Sequence, residues 1–202
     1  DTVLDWAVPK RHLIDLVEAA YRPEQSESDW LKEIVGIARV LLPASQHGYA
    51  YTLERTAAGA VTFHTTVIEG LDDPDARVQE LFGGLSNTAL DTLFQFGTTA
   101  GTSAPAPASE RVQRAGGRDD DTEHLHEVMQ RLQTAVVGIS HMDAKGLGVV
   151  FGASVDKPRL TAAACAEWRR VAIHVGAALR LRRLAERELN DASMLIGPTG
   201  KV

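Results

Sequence analysis

The apolar residues of positions 160–189 recur at helical spacing over about 30 residues, and no other feature restricts the architecture of this chain so strongly. At about 100° per residue, Trp168, Val171, Val175, Ala178 and Leu179 gather on one side of such a helix. Ile173, Ala177, Leu181 and Leu184 form a second apolar strip roughly opposite, and Arg169, Arg180, Arg183 and Arg187 line another face. A helix with two apolar strips needs two neighbours, so one strip is expected to face a sheet and the other a partner. The same stretch holds six arginines and three glutamates, a local excess of +3 in a chain whose net charge is -6. A solvated helix face accounts for these arginines. The alternative is pairing with an acidic protein surface, including the Asp119, Asp120 and Asp121 run of a second copy.

Two hairpins precede that helix. Residues 47–55 place Tyr49, Tyr51 and Leu53 on one face of a strand. Residues 60–69 place Val61, Phe63 and Val67 on one face of the next, with Ala57, Ala58 and Gly59 as the turn. Ala135, Val137 and Ile139, then Leu147, Val149, Phe151 and Ala153, alternate in the same way about a turn at 143–146.

Helices surround these strands. The first covers 9–21 and ends at Pro23. The second is capped by Ser28 or Asp29, carries Leu31, Ile34, Val35, Ala38, Leu41 and Leu42 on one face, and stops at Pro43. Asp72, Asp73 and Pro74 open a helix bearing Val78, Leu81, Phe82 and Leu85, which Gly83 and Gly84 weaken. A short helix with Ala89, Leu90, Leu93 and Phe94 follows. Asp121 or Thr122 caps another helix, with Leu125, Val128, Met129 and Leu132 on one face.

Positions 97–109 hold only Gly, Thr, Ala, Ser and Pro, and the charged residues up to 121 show no apolar period. The segment 97–121 is therefore expected to be irregular, as a functional lid or a disordered insertion. Residues 192–202 read as a strand, a Gly197-Pro198-Thr199-Gly200 turn and the start of another strand, so the natural chain is expected to continue past Val202. This order of elements predicts an α+β fold, a central antiparallel sheet with helices on both faces, built as one domain over 1–190.

Composition narrows the function classes. A chain of 202 residues, 44% hydrophobic, buries roughly 70% of its unfolded surface in one core and needs no staple. Cys165 is the single cysteine, which excludes an internal disulfide framework and fits a reducing compartment. The acidic balance argues against a nucleic-acid coat and against a polybasic membrane anchor. The longest uncharged stretch, 92–109, is too rich in Gly, Thr, Ser and Pro to span a bilayer, and no signal peptide opens the sequence, so a cytoplasmic protein is expected.

No reaction is legible. Gly146, Leu147 and Gly148 sit in a hairpin and not between a strand and a helix, so they do not form a phosphate cradle. His124 and His126 are two apart on a helix, about 200° around its axis, and cannot share one metal ion. His141 lies on the apolar face of its strand and His64 beside Phe63. Each reads as a packed histidine or as the polar anchor of a ligand pocket. Tyr49, Tyr51, Phe63, Phe82, Phe94 and Phe151 read as core or as the lining of a cavity. His174 and Cys165 read as structural, Asp72, Asp73 and Asp75 as helix starts, and Asp119, Asp120 and Asp121 as a solvated run.

The helix containing Trp30, Leu31, Lys32, Glu33 and Ile34 through Leu41, Leu42 and Pro43 resembles part of the sensory region upstream of the LuxR-type helix-turn-helix in bacterial transcription regulators. So do the helix from Glu167, Trp168, Arg169 and Arg170 to Arg182 and Arg183, and the turn ending in Lys201. The element order resembles GAF-like sensory domains. The resemblance implies a GAF-like fold with a small-molecule or peptide pocket between the sheet and segment 80–132. It further implies relay through the terminal helix to an output domain, and a homodimer formed on Ile173, Ala177, Leu181 and Leu184. No helix-turn-helix is present in this sequence, so direct nucleic-acid binding is not expected, and neither is a cofactor or a membrane partner. The expected function is non-enzymatic sensing. The alternative is a stand-alone interaction protein that binds a peptide or protein partner, for instance by strand addition at a sheet edge.

Overall fold

Period-two alternation and β-branched residues mark four of the five strands, and pairing alone makes β3: β1 (Ser45–Arg55), β2 (Val61–Ile68), β3 (Gly97–Ser103), β4 (Ala135–Met142) and β5 (Leu147–Val155). All neighbours are antiparallel, in the order β2-β1-β5-β4-β3. The structure is a computed structural model and describes residues 10–195 except 43–44, 57–59, 71–72, 95–96, 104, 133–134 and 156–159. The Ala57-Ala58-Gly59 turn, Asp72, Pro43 and the 197–200 turn lie outside the described residues.

Helices α1 (Lys10–Ala20), α2 (Glu27–Leu41) and α7 (Ala162–Leu195) cover one face of the sheet; α3 (Pro74–Phe82), α4 (Asn87–Leu93), α5 (Pro105–Arg114) and α6 (Asp119–Leu132) cover the other. The fold is thus α+β, with a five-stranded antiparallel sheet and a long C-terminal helix. The first layer packs Leu16, Trp30, Ile34, Val35, Trp168, Val175 and Leu179 against Ala50, Ile139, Val149 and Phe151. Trp30 and Trp168 are fully buried, and the Trp30 indole donates to the Ala20 carbonyl at 2.9 Å. The second layer packs Val78, Ala89, Leu90, Val112 and Leu125 against Tyr51, Leu53, Met142 and Val150.

Several expectations are corrected. The cap of α2 is Ser26, not Ser28 or Asp29; its hydroxyl accepts from the Asp29 amide at 3.1 Å, which places Asp29 inside the first turn. Val67 does not share a face with Val61 and Phe63. A bulge between Tyr51 and Leu53 sets two residues of β2, His64 and Thr65, against Thr52 alone. Past it, Val67 turns into the first core while Val61 and Phe63 pack in the second.

Segment 97–121 is not irregular: its described residues form β3, α5 and the start of α6. Its threonines pair with β4 over seven consecutive positions as the edge strand β3, and α5 follows, with Val112 fully buried. Cross-strand pairing overrides the weak local pattern. Helix α6 starts at Asp119, two residues before the expected cap, and Asp121 is 1% exposed, not a solvated residue. Helix α7 continues through Ser193 and Met194 to Leu195, where a strand was expected.

Candidate ligand-binding face

On β1 the side chains of Tyr49, Tyr51, Leu53 and Arg55 alternate toward the layer formed by α3 to α6, because the intervening Ala50 and Thr52 enter the opposite side. Tyr51 is the hub of an aromatic cluster. Its ring centroid lies 5.5 Å from Phe63, 5.9 Å from Phe82 and 6.2 Å from Phe94, while Phe82 and Phe94 are 5.1 Å apart. Phe63 stacks on Phe82 at 5.3 Å and Tyr49 on Tyr51 at 6.3 Å. Helix ends aim these rings: Phe82 is the last residue of α3, and Phe94 is the C-cap of α4, its amide donating to the Leu90 carbonyl at 2.8 Å.

The sequence also leaves a floor beside the rings. One cross-strand row reads Ile68, Tyr49, Gly152, Gly138 and Gly101 on β2, β1, β5, β4 and β3. Three adjacent strands therefore present no side chain at that level. The Tyr49 ring lies across this row and donates its hydroxyl to the Val137 carbonyl at 3.1 Å. A methyl group at Gly138 would meet only the Tyr49 hydroxyl, at 3.3 Å, among the described residues. In the next row Ser140 and Thr99 exchange a hydroxyl hydrogen bond of 2.6 Å. At the far end Arg55 and Asp91 pair at 2.7 Å between β1 and α4.

Burial raises the hydroxyl pKa of both tyrosines, so both stay protonated; for Tyr51 the neighbouring Tyr49 adds to the effect. The face thus offers aromatic rings, a glycine row that the Tyr49 ring crosses in part, and neutral hydroxyls, with its arginine and aspartate already paired.

Five of the eight expected ligand residues, Tyr49, Tyr51, Phe63, Phe82 and Phe94, come together here. The other three do not. Phe151 lies on the opposite face, 6.3 Å from Trp168. His141 also lies there, its Nδ1 2.8 Å from the Thr98 hydroxyl. His64 is in the bulge, exposed, with Nε2 3.5 Å from Glu54. Sequence reasoning missed Gly138, Gly152, Ser140 and Thr99. Their signal is an isolated glycine inside each apolar strand, Val136-Val137-Gly138-Ile139 and Val150-Phe151-Gly152-Ala153.

Elsewhere, a surface groove of about 230 Å³ runs between α1 and α2, lined by His12, Asp15, Ile37 and Val40. Of the second α7 strip, Ile173, Leu181 and Leu184 are exposed and Ala177 is half-buried. Among the described residues no helix is long and apolar enough to cross a membrane.

No family model matches this chain, and neither does any curated protein. Among solved structures, it is similar to the crystal structure of an N-acylhomoserine lactone dependent LuxR family transcription factor, CepR2, from Burkholderia cenocepacia. The TM-score is 0.50 at 14% identity, over 86% of this chain and 95% of that one. A likeness at that identity is one of fold.

Proposed function

We propose that this chain is a non-enzymatic, GAF-like sensory module that holds an uncharged small molecule on the aromatic face of its sheet, as the regulatory part of a transcription regulator. The observation that carries the reading is the juxtaposition of five aromatic rings with the row of Gly152, Gly138 and Gly101. Rings supply apolar contact, missing side chains leave room against the backbone, and the Ser140 and Thr99 hydroxyls can orient a polar end. Among the described residues, no acid–base pair adjoins a nucleophile on this face, which supports binding over catalysis. The solved neighbour is a lactone-dependent regulator by its own description, and that supports the choice of first probe.

The test is a thermal-shift titration with N-acylhomoserine lactones of graded acyl length, followed by other neutral amphiphiles. Binding to the folded state raises the melting temperature by mass action. A rise with wild type that disappears in Gly138→Leu, whose side chain would occupy the floor, supports the reading. No rise with any compound, or an equal rise in Gly138→Leu, removes it.

Strand addition is the second reading, and β3 favours it: this edge strand holds seven unbroken pairs with β4 and no charged residue. A peptide that binds with Gly138→Leu as well as with wild type would select it.

A further inference from the structure

Helix α7 buries Trp168, Val171, Val175, Ala178 and Leu179, yet Ile173, Leu181 and Leu184 on its outer side stay 50%, 56% and 51% exposed. With half-buried Ala177 they form one ridge, about 17 Å from Ile173 to Leu184 at 1.5 Å per residue. Large apolar side chains aligned in this way differ from singly scattered ones, which need no explanation. Arg169, Arg180 and Arg187 are exposed and run along one side of the ridge, about 55–75° from its centre line. Among the described residues none of these three has a carboxylate partner, whereas Arg170 pairs with Glu167, and Arg183 with Glu27 and Glu186.

We propose that this outer face of α7 docks an acidic amphipathic helix of a partner protein. The site is independent of a ligand on the aromatic face, because α7 packs on the opposite side of the sheet. A ridge one side chain wide, dipping at Ala177 between Ile173 and Leu181, suits the knobs of a second helix. The three arginines stand along one flank of such a helix, and they can take carboxylates from that side of it. Other occupants fit less well. A second copy would bring the same arginines to the seam. A membrane or a nucleic acid would lay a broad anionic surface here, and three arginines along one edge of an apolar ridge are too few cations for it.

The test uses the full chain and a fluorescein-labelled synthetic peptide of about 18 residues, long enough to span the ridge, with leucines at helical i, i+3, i+4, i+7 spacing and glutamates flanking them. A peptide of the same composition in scrambled order is the control. Anisotropy should show binding of the ordered peptide that weakens about tenfold or more between low and moderate salt. Binding should be lost in Ile173→Asp/Leu184→Asp and in Arg169→Glu/Arg187→Glu, with melting temperatures unchanged because these side chains are exposed. Equal binding of the scrambled peptide overturns the proposal, as does no binding of the ordered one. Two further outcomes also overturn it: a dimer by sedimentation that Ile173→Asp dissociates, and cosedimentation with phosphatidylcholine–phosphatidylglycerol vesicles that Ile173→Asp abolishes.

Discussion

The Asp121 carboxylate at the start of α6 stands 2.8 Å from the backbone nitrogen of Ser86, the N-cap of α4. It also accepts from the Ser86 hydroxyl, from the Arg118 amide at 3.0 Å and from the Arg118 guanidinium at 3.2 Å. One acidic side chain therefore joins the starts of two helices that cover the aromatic face. Burial raises its pKa, but the donors of Ser86 and then Arg118 outweigh that and hold it at about 2. A carboxylate with a depressed folded pKa contributes stability that is complete above its unfolded value near 4 and is lost as pH falls toward 2. Asp121→Asn should cost about 2 kcal/mol at neutral pH and about half as much near pH 3, by urea unfolding. An equal cost at both pH values would assign the effect to shape and not to charge.

Gly176 of α7 makes room for the His141 ring: a methyl group there would lie 2.1 Å from Cδ2 and 2.7 Å from Cγ. Alanine favours a helix by about 1 kcal/mol over glycine, but the collision reverses the sign, because the Thr98 hydroxyl also holds the ring. Gly176→Ala should destabilise the wild type and stabilise a His141→Ala background, and a double-mutant cycle reads this directly. The surroundings also make His141 sensitive to pH. Burial first, and then Arg180, lower its pKa, with Asp143 opposing. The fold thus favours the neutral imidazole, and its contribution is present above about pH 6.5 and lost as pH falls below that. Unfolding midpoints of His141→Gln between neutral pH and pH 5 should change less than those of wild type.

Two glycines in the same row should respond differently to alanine. At Gly152 the methyl group would sit 1.9 Å from the Val137 carbonyl oxygen and 2.9 Å from the Tyr49 hydroxyl, where those two atoms bond. At Gly138 the nearest described atom is 3.3 Å away. Gly152→Ala should cost about 2–4 kcal/mol, and Gly138→Ala should stay within about 1 kcal/mol of wild type. Chemical denaturation of both variants decides it; similar costs would refute the picture of an open floor.

Arg182, like Arg170, stands outside the arginine stripe of α7, and it is 7% exposed. Its guanidinium donates to the Arg22 carbonyl at 2.7 Å and to that of Gln25, and lies 5.2 Å from the Trp30 ring centroid. Arg182→Met should cost about 2–4 kcal/mol, since two carbonyls lose their donor and the ring its cation. Lysine should restore less than half, because an ammonium cannot hold both carbonyls in one planar fork. Hydrogen exchange of the α1–α2 connection should speed up in both variants.

The strength of a local period decided what could be read in advance. Trp168, Val175 and Leu179 mark the inner face of α7 because the repeat continues unbroken, and Asp73 with Pro74 marks the start of α3 because capping is a local device. Strand β3 has no such mark: its threonines become a strand through pairing with β4, a segment more than 30 residues away. The same limit holds for the site. Aromatic rings can be picked out by type, but alternation does not say which layer covers which face, so Phe151 and Tyr51 were grouped and then parted. The glycine floor depends on the register of three strands together, and no single stretch contains it.

Helix α7 runs on to Leu195, yet its last buried residue among those described is Arg182. At 1.5 Å per residue the remainder reaches about 20 Å past that clasp. A tilt of about 10° about Arg182 would therefore carry the far end of the helix through about 3 Å.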